Sequence, residues 1–239
     1  MSREVWAKVD KYIFDELVGP DEALDQTVRT SADAGLPYYI SVSPTQGKLL
    51  FLLARALRAR MILEIGTLGG YSAIWLGRAL SPLGRLISLE VDPKHAEVAR
   101  ANVDRAGLTK KVEIRLGRAL DTLPKLVSEG HGPFDMFFID ADKANIPDYI
   151  EWSLRLSRPG SMIVVDNVIR RGKIVNKSST DENVIGVRRM YEMFSKDPRL
   201  TATAIQTVGG KGYDGFAIAL VNEPVKIREP KSRRRRARP

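Results

Sequence analysis

The sequence predicts an α/β fold: one mostly parallel sheet with helices on both faces and an antiparallel edge. Three observations carry that expectation. From Met61 onward, apolar segments of strand length alternate regularly with helical patterns. Four of the first five strands are nearly continuous apolar runs, as a parallel sheet buried on both sides requires. The last two strands are joined by Gly209-Gly210-Lys211-Gly212-Tyr213-Asp214-Gly215, a glycine-rich hairpin that turns the chain antiparallel.

Three helical stretches come first. Residues 3–18 place Val5, Val9, Ile13 and Leu17 at fourfold spacing, with Trp6 and Tyr12 beside the stripe, so an amphipathic helix is expected up to Gly19-Pro20. A second helix is expected over 21–34, turned by Gly35-Leu36-Pro37. Residues 38–44 read as extended or looped, and Pro44 suits the first turn of a helix over 45–58. Lying before the first strand, this helical region (1–60) can cap the sheet, cover a ligand or pair with another subunit. Strands are expected at 61–66, 85–91, 111–117, 134–140 and 161–167, with helices at 72–80, 93–106, 119–128 and 145–156 between them. A helix at 183–195 then leads to strands at 201–208 and 216–221, which completes a sheet domain over 61–222.

Composition narrows the function classes. A chain of 239 residues, 44% of them hydrophobic, suits one α/β domain. Without cysteine it has no disulfide, no thiolate metal site and no cysteine nucleophile, and a reducing, cytoplasmic setting is the simplest match. The first residues carry no apolar signal core. The most apolar stretch, 49–65, is broken by Arg55, Arg58 and Arg60, so neither export nor a membrane span is expected. The net charge of +9 is concentrated in the tail (223–239), where eight basic residues follow Val225 against one acid, Glu229. Such a tail reads as a flexible, solvated end. The rival reading, an arm for RNA or another polyanion, is not favoured.

The run Met61-Ile62-Leu63-Glu64-Ile65-Gly66-Thr67-Leu68-Gly69-Gly70-Tyr71-Ser72 reads as a buried strand, a tight ligand-binding turn and the start of a helix. Glycine there admits positive φ and close approach of a ligand. A dinucleotide fingerprint beginning at Gly66 would need glycine where Leu68 stands, and Glu64 would crowd a pyrophosphate, so a ligand with an amine or cation fits better. Acids collect at the other strand ends, where an open α/β sheet binds its ligand. Glu90 is placed to accept hydrogen bonds from a ribose diol. Asp140, Asp166 and Asn167 would converge from neighbouring strands as an all-oxygen set suited to a hard cation, Mg²⁺ ahead of Ca²⁺. Asp166-Asn167 is equally a common turn after a strand. His95 and His131 fall where surface helix or loop is expected.

Three runs together resemble the cation-dependent O-methyltransferases related to catechol and caffeoyl-CoA O-methyltransferases. They are Leu63-Glu64-Ile65-Gly66-Thr67 with Gly70-Tyr71-Ser72, Phe138-Ile139-Asp140-Ala141-Asp142-Lys143, and Asp166-Asn167-Val168, and the resemblance spans roughly residues 36–221. It implies a class I S-adenosylmethionine (SAM)-dependent methyltransferase fold, Rossmann-like, with a seven-stranded sheet. It also implies that the Val42 backbone, Glu64, Gly66, Thr67 and Ser72 hold the methionine part of SAM, that Glu90 holds the ribose, and that Ala119 lies near the adenine. By the same resemblance Asp140, Asp166 and Asn167 bind Mg²⁺ (or Mn²⁺ or Ca²⁺), Lys143 is the catalytic lysine, and a homodimer is expected. Such an enzyme methylates a small catechol-like vicinal diol. A tRNA-modifying methyltransferase of the same fold is the alternative. Where the resembled family often has an aromatic residue after Val168-Ile169, this chain has Arg170-Arg171; a guanidinium facing the cleft would favour an acceptor carrying a carboxylate or phosphate.

Overall fold

The computed structural model describes residues 2–223. The basic tail beyond residue 223, and the two readings of it, lie outside the described residues.

Local signals set the helix ends. The first helix, α1 (Arg3–Ile13), is capped by Ser2 and widens into a π turn over Phe14–Val18, which Gly19 closes at φ 76°. Its apolar stripe is largely uncovered: α1 has no buried residue, Ile13 is half-buried, and Leu17 in the π turn is 66% exposed. Asp21 caps α2 (Glu22–Asp33) and also receives Arg78 at 2.7 Å. Residues 38–40 form a short 3-10 turn, after which Ser43 caps α3 (Pro44–Ala56) with Pro44 in the first turn, as expected. Gly47 of α3 lets Trp75 close in, since a Cβ there would stand 2.3 Å from the indole.

From here the strands and helices alternate. They run β1 (Met61–Ile65), α4 (Tyr71–Ala79), β2 (Arg85–Glu90), α5 (Pro93–Arg105), β3 (Val112–Leu116), α6 (Ala119–Ser128), β4 (Phe134–Ile139), α7 (Ile146–Leu156) and β5 (Ser157–Asp166). A turn of 3-10 helix, α8 (Glu182–Lys196), β6 (Leu200–Gly209) and β7 (Gly212–Val221) complete the order. The seven strands form one sheet in the order β3-β2-β1-β4-β5-β7-β6. The side chains of β1 show its two-sided burial. Ile62 faces a cluster with Leu50, Ile74 and Val103 from α3, α4 and α5. Its neighbour Leu63 faces Leu123, Ile150 and Met190 from α6, α7 and α8.

Register aligns the carboxyl ends. Ile65 pairs with Leu89 on one side and Ile139 on the other, and Ile139 pairs with Val165, so Glu90, Asp140 and Asp166 emerge along one edge. The order reverses at β1, which places the crevice of an open α/β sheet at that point. Only β7 runs backwards, between β5 and the outermost strand β6. Asp166 pairs with Phe216, yet the β6–β7 ladder continues to Gly209 and Gly212, so the hairpin projects past the edge beside Asp166. Two expected boundaries move: β5 begins at Ser157 despite Pro159 and Gly160, held by the Phe134–Ser157 pairing and by the Ser161 hydroxyl, which donates to the Phe134 carbonyl and accepts from the Arg158 N–H, and β7 begins at Gly212, paired with Gly209.

Candidate active site

Two cavities open along the carboxyl edge. The first, of about 620 Å³, lies over the β1–α4 turn; the second, of about 570 Å³, lies between the 3-10 turn at 38–40, the end of β5 and the β6–β7 hairpin. They share Ile40, Ser41, Val42 and Asn167, so one wall serves both.

The first cavity gathers most of the residues singled out in the sequence. Gly66, Thr67 and Ser72 line it from the β1–α4 turn, with Val42 opposite. Gly66 sits at φ 97°, and a Cβ there would lie 2.3 Å from the Asp140 carbonyl, so strand β4 presses on the turn and only glycine fits. Glu90 accepts from the N–H groups of Leu68 (2.8 Å) and Thr67 (3.2 Å), which holds the turn in shape from the end of β2. Its other oxygen accepts from Val91 and Asp92, both at 2.9 Å. Ala119 lines the far end, at the start of α6.

Glu64 is placed differently. It is fully buried behind the turn and does not line the cavity. Ser88 donates to one of its oxygens, while Oε1 has no partner among the described residues. Burial pushes its pKa from the usual 4.5 up to about 8, and the hydroxyls of Ser72 and Ser88 offset that only in part. A buried carboxylate with one oxygen unmatched, one side chain behind Ser72, is what a cationic ligand in this cavity would compensate.

Asp140, Asp166 and Asn167 meet where the cavities join. Asp140 lines the first cavity, Asp166 the second and Asn167 both. Asn167 takes φ 57°, with its N–H on the Asp166 carboxylate at 2.8 Å. Burial and the charge of Asp140 both push the Asp166 pKa up. Lys143 is 6% exposed, lines the first cavity and donates to Asp140 Oδ1 at 2.8 Å. The turn that carries it is fixed by Asp142, which accepts from Asn145 Nδ2 (2.7 Å) and the Tyr149 hydroxyl (2.5 Å). Among the described residues no group of three or more His, Cys, Asp or Glu side chains could hold a metal, so this oxygen set relies on the Asn167 amide for its third donor. Two carboxylates, one of them pushed towards its protonated form by burial and by the charge of the other, lie beside an amide oxygen as a donor set a hard cation fits.

The two joined cavities give room for two ligands side by side. A family profile described as O-methyltransferase matches residues 17–219. The chain belongs to the O-methyltransferase family. A catechol O-methyltransferase from Niastella koreensis is 55% identical over 221 residues, covering 92% of this chain and all of that one. An O-methyltransferase from Bacillus cereus, solved in complex with SAH, superposes with a TM-score of 0.91 at 52% identity, over 92% of this chain and all of that one. TomG of Streptomyces achromogenes, an O-methyltransferase involved in tomaymycin synthesis and solved with SAM, gives 0.90 at 51% identity, over 93% and 100%. This chain is accordingly a SAM-dependent O-methyltransferase with the class I, Rossmann-like fold. No helix among its described residues is long and apolar enough to cross a membrane.

Some residues were not legible beforehand. His95, expected at the surface, is 24% exposed at the side chain, lines the first cavity and stands 3.7 Å from Glu90. Its place three residues into the helix after the Glu90 strand was the available signal. Of the arginine pair, Arg171 lines the second cavity; Arg170 does not, and its buried Nε has no partner among the described residues. Lys211 and Tyr213 also line that cavity, delivered by the hairpin rather than by any local motif.

Proposed function

We propose that this O-methyltransferase transfers the methyl group of SAM to one hydroxyl of a catechol-like vicinal diol, assisted by a divalent cation. Supporting this is the meeting of the two cavities at Asn167, with Asp140 on one side, Asp166 on the other and Lys143 against Asp140. In this reading the Val42 backbone, Gly66, Thr67 and Ser72 cradle the methionine part of SAM, Glu64 answers its ammonium from behind Ser72, Glu90 takes the ribose and Ala119 the adenine. The methyl then arrives on a sulfonium, an electrophile that asks chiefly for a well-placed oxyanion.

Forming that oxyanion is the task left to the second cavity. A phenol with pKa ~10 is mostly protonated at neutral pH. Asp140, Asp166 and Asn167 would hold a cation, Mg²⁺ by their hard oxygen donors, whose chemistry is to lower the pKa of an adjacent hydroxyl and fix the diol. Lys143, anchored by Asp140, takes the phenolic proton or stabilises the anion left behind. Tyr39, Tyr213 and Phe216 give the acceptor ring its apolar walls.

Transfer of isotopically labelled methyl to catechol and to phenol tests the reading. Catechol is expected to be methylated and phenol not, with chelator abolishing turnover and added Mg²⁺ restoring it. Full turnover in excess chelator rules out the cation, and equal turnover of phenol rules out the diol.

A further inference from the structure

The second cavity holds two cations that no carboxylate meets within ion-pair distance among the described residues. Four charged side chains besides Asp166 line it: Asp10, Asp214, Arg171 and Lys211. Both acids are engaged by backbone. Asp10 accepts the Gly210 N–H at 2.7 Å, and Asp214 accepts those of Ile169 (2.9 Å) and Arg170 (3.0 Å). Neither cation makes an ion pair among the described residues, although Asp166 and Asp140 attract Lys211 from across the cavity. Among the described residues Arg171 makes no hydrogen bond or ion pair, and the Lys211 ammonium meets only a neutral acceptor, the Ser41 carbonyl.

Both side chains are exposed, but the backbone that carries each of them is fixed. Arg171 (φ 55°) and Gly172 (φ 82°) lie in left-handed backbone, a conformation that persists when its surroundings fix it. Here the Asp214 carboxylate holds the two residues before Arg171, and Gly172 donates to the Ile169 carbonyl at 2.9 Å. Lys211 rides on the hairpin turn, which α1 grips through Asp10 and through Arg3 Nε on the Gly210 carbonyl at 2.9 Å. Two segments far apart in sequence therefore present unmatched cations to one small cavity with aromatic walls.

We propose that the acceptor diol carries a carboxylate, received by Lys211 and Arg171 in the second cavity. The proposal rests on the diol reading above and makes it narrower. A guanidinium takes a carboxylate through two parallel N–H groups and an ammonium adds a point charge, so both favour an aromatic acid over its neutral analogue. The loss of one charge-assisted contact corresponds to about a tenfold change in affinity.

Three diols separate charge from shape: catechol, protocatechuate and the primary amide of protocatechuate. Their kcat/KM values and, with SAH in place of SAM, their calorimetric Kd values are measured on the full chain with Mg²⁺. The expected result is a preference for the acid over the amide of about tenfold or more, seated in KM and Kd. Lys211→Met and Arg171→Gln should each shrink that preference, and Lys211→Glu should reverse it. Equal handling of acid and amide, or variants that lose both to the same extent, overturns the proposal while leaving the diol reading intact. Failure of all three diols to accept methyl removes the diol reading and this proposal with it.

Discussion

Replacing Glu64 by glutamine tests the account of the buried carboxylate behind the cofactor cavity. Burial lifts its pKa from 4.5 to about 8, which corresponds to roughly 5 kcal/mol between the charged and neutral forms. The sign follows from proton counting. Between those two values the folded chain keeps a proton that the unfolded chain has released, so this group's contribution to stability is complete below pH 4.5 and falls as pH rises towards about 8. Glutamine has the same shape and no such slope. In urea unfolding of the ligand-free protein, Glu64→Gln should match the wild type within about 1 kcal/mol near pH 5 and exceed it by several kcal/mol near pH 9. Saturating SAM should reverse the advantage, since only the carboxylate can answer an ammonium. A stability difference that is the same at both pH values would refute the burial argument, and equal SAM affinity in the two proteins would remove Glu64 from the cofactor site.

Other outcomes follow from the same geometry. Asp166→Ala should lower turnover by about a hundredfold or more while calorimetric SAM affinity stays within about threefold, because Asp166 lines the second cavity and not the first. Asp135 accepts from Arg60 and Met61 (2.7 and 2.9 Å) and pairs with Arg158 at 2.6 Å, so Asp135→Ala should cost about 3 kcal/mol in denaturant melts. Burial alone would raise the Asp135 pKa, but those partners hold it below the usual range; its support is therefore present above the ordinary carboxylate pKa and lost on acidification, a loss that acid titration of Asp135→Asn should not show. Val5, Val9, Tyr12 and Leu17 are between 42% and 67% exposed, and analytical ultracentrifugation should find a dimer that charged substitutions at Val9 and Leu17 dissociate. Deleting residues 226–239 should leave catechol kinetics unchanged, whereas a salt-sensitive loss of tRNA methylation on that truncation would support the RNA reading.

Much of the fold was legible because the relevant signals are local. Apolar runs named the strands, Pro44 marked the first turn of α3, and the strand-end acids Glu90, Asp140 and Asp166 fell on one edge because parallel strands keep register. What stayed hidden depends on distant partners. Ser157-Arg158-Pro159-Gly160 reads as a turn, yet β5 starts there, with an irregular register between Phe134 and Met136 of β4. The stripe of α1 left three roles open, capping the sheet, covering a ligand or pairing with a subunit, and within the described residues it stays largely exposed, with Ile13 half-buried. Glu64 reads as a ligand contact, and only the packing around it shows that it is buried behind the turn and does not line the cavity. Lys211 carries no motif at all; its position is a property of the hairpin.

The reversal of β7 decides what reaches the second cavity. Were the seventh strand parallel, its incoming connection would land on the opposite edge of the sheet, far from Asp166. Running backwards, it puts a short turn beside the second cavity and delivers Lys211, Tyr213 and Asp214 there with no intervening helix. The first cavity is lined mainly from the ends of β1 to β4 and the turns after them. Residues 206–214 therefore stand apart from Gly66, Glu90 and Ala119: substitutions in the hairpin alter the wall of the second cavity and leave the lining of the first untouched.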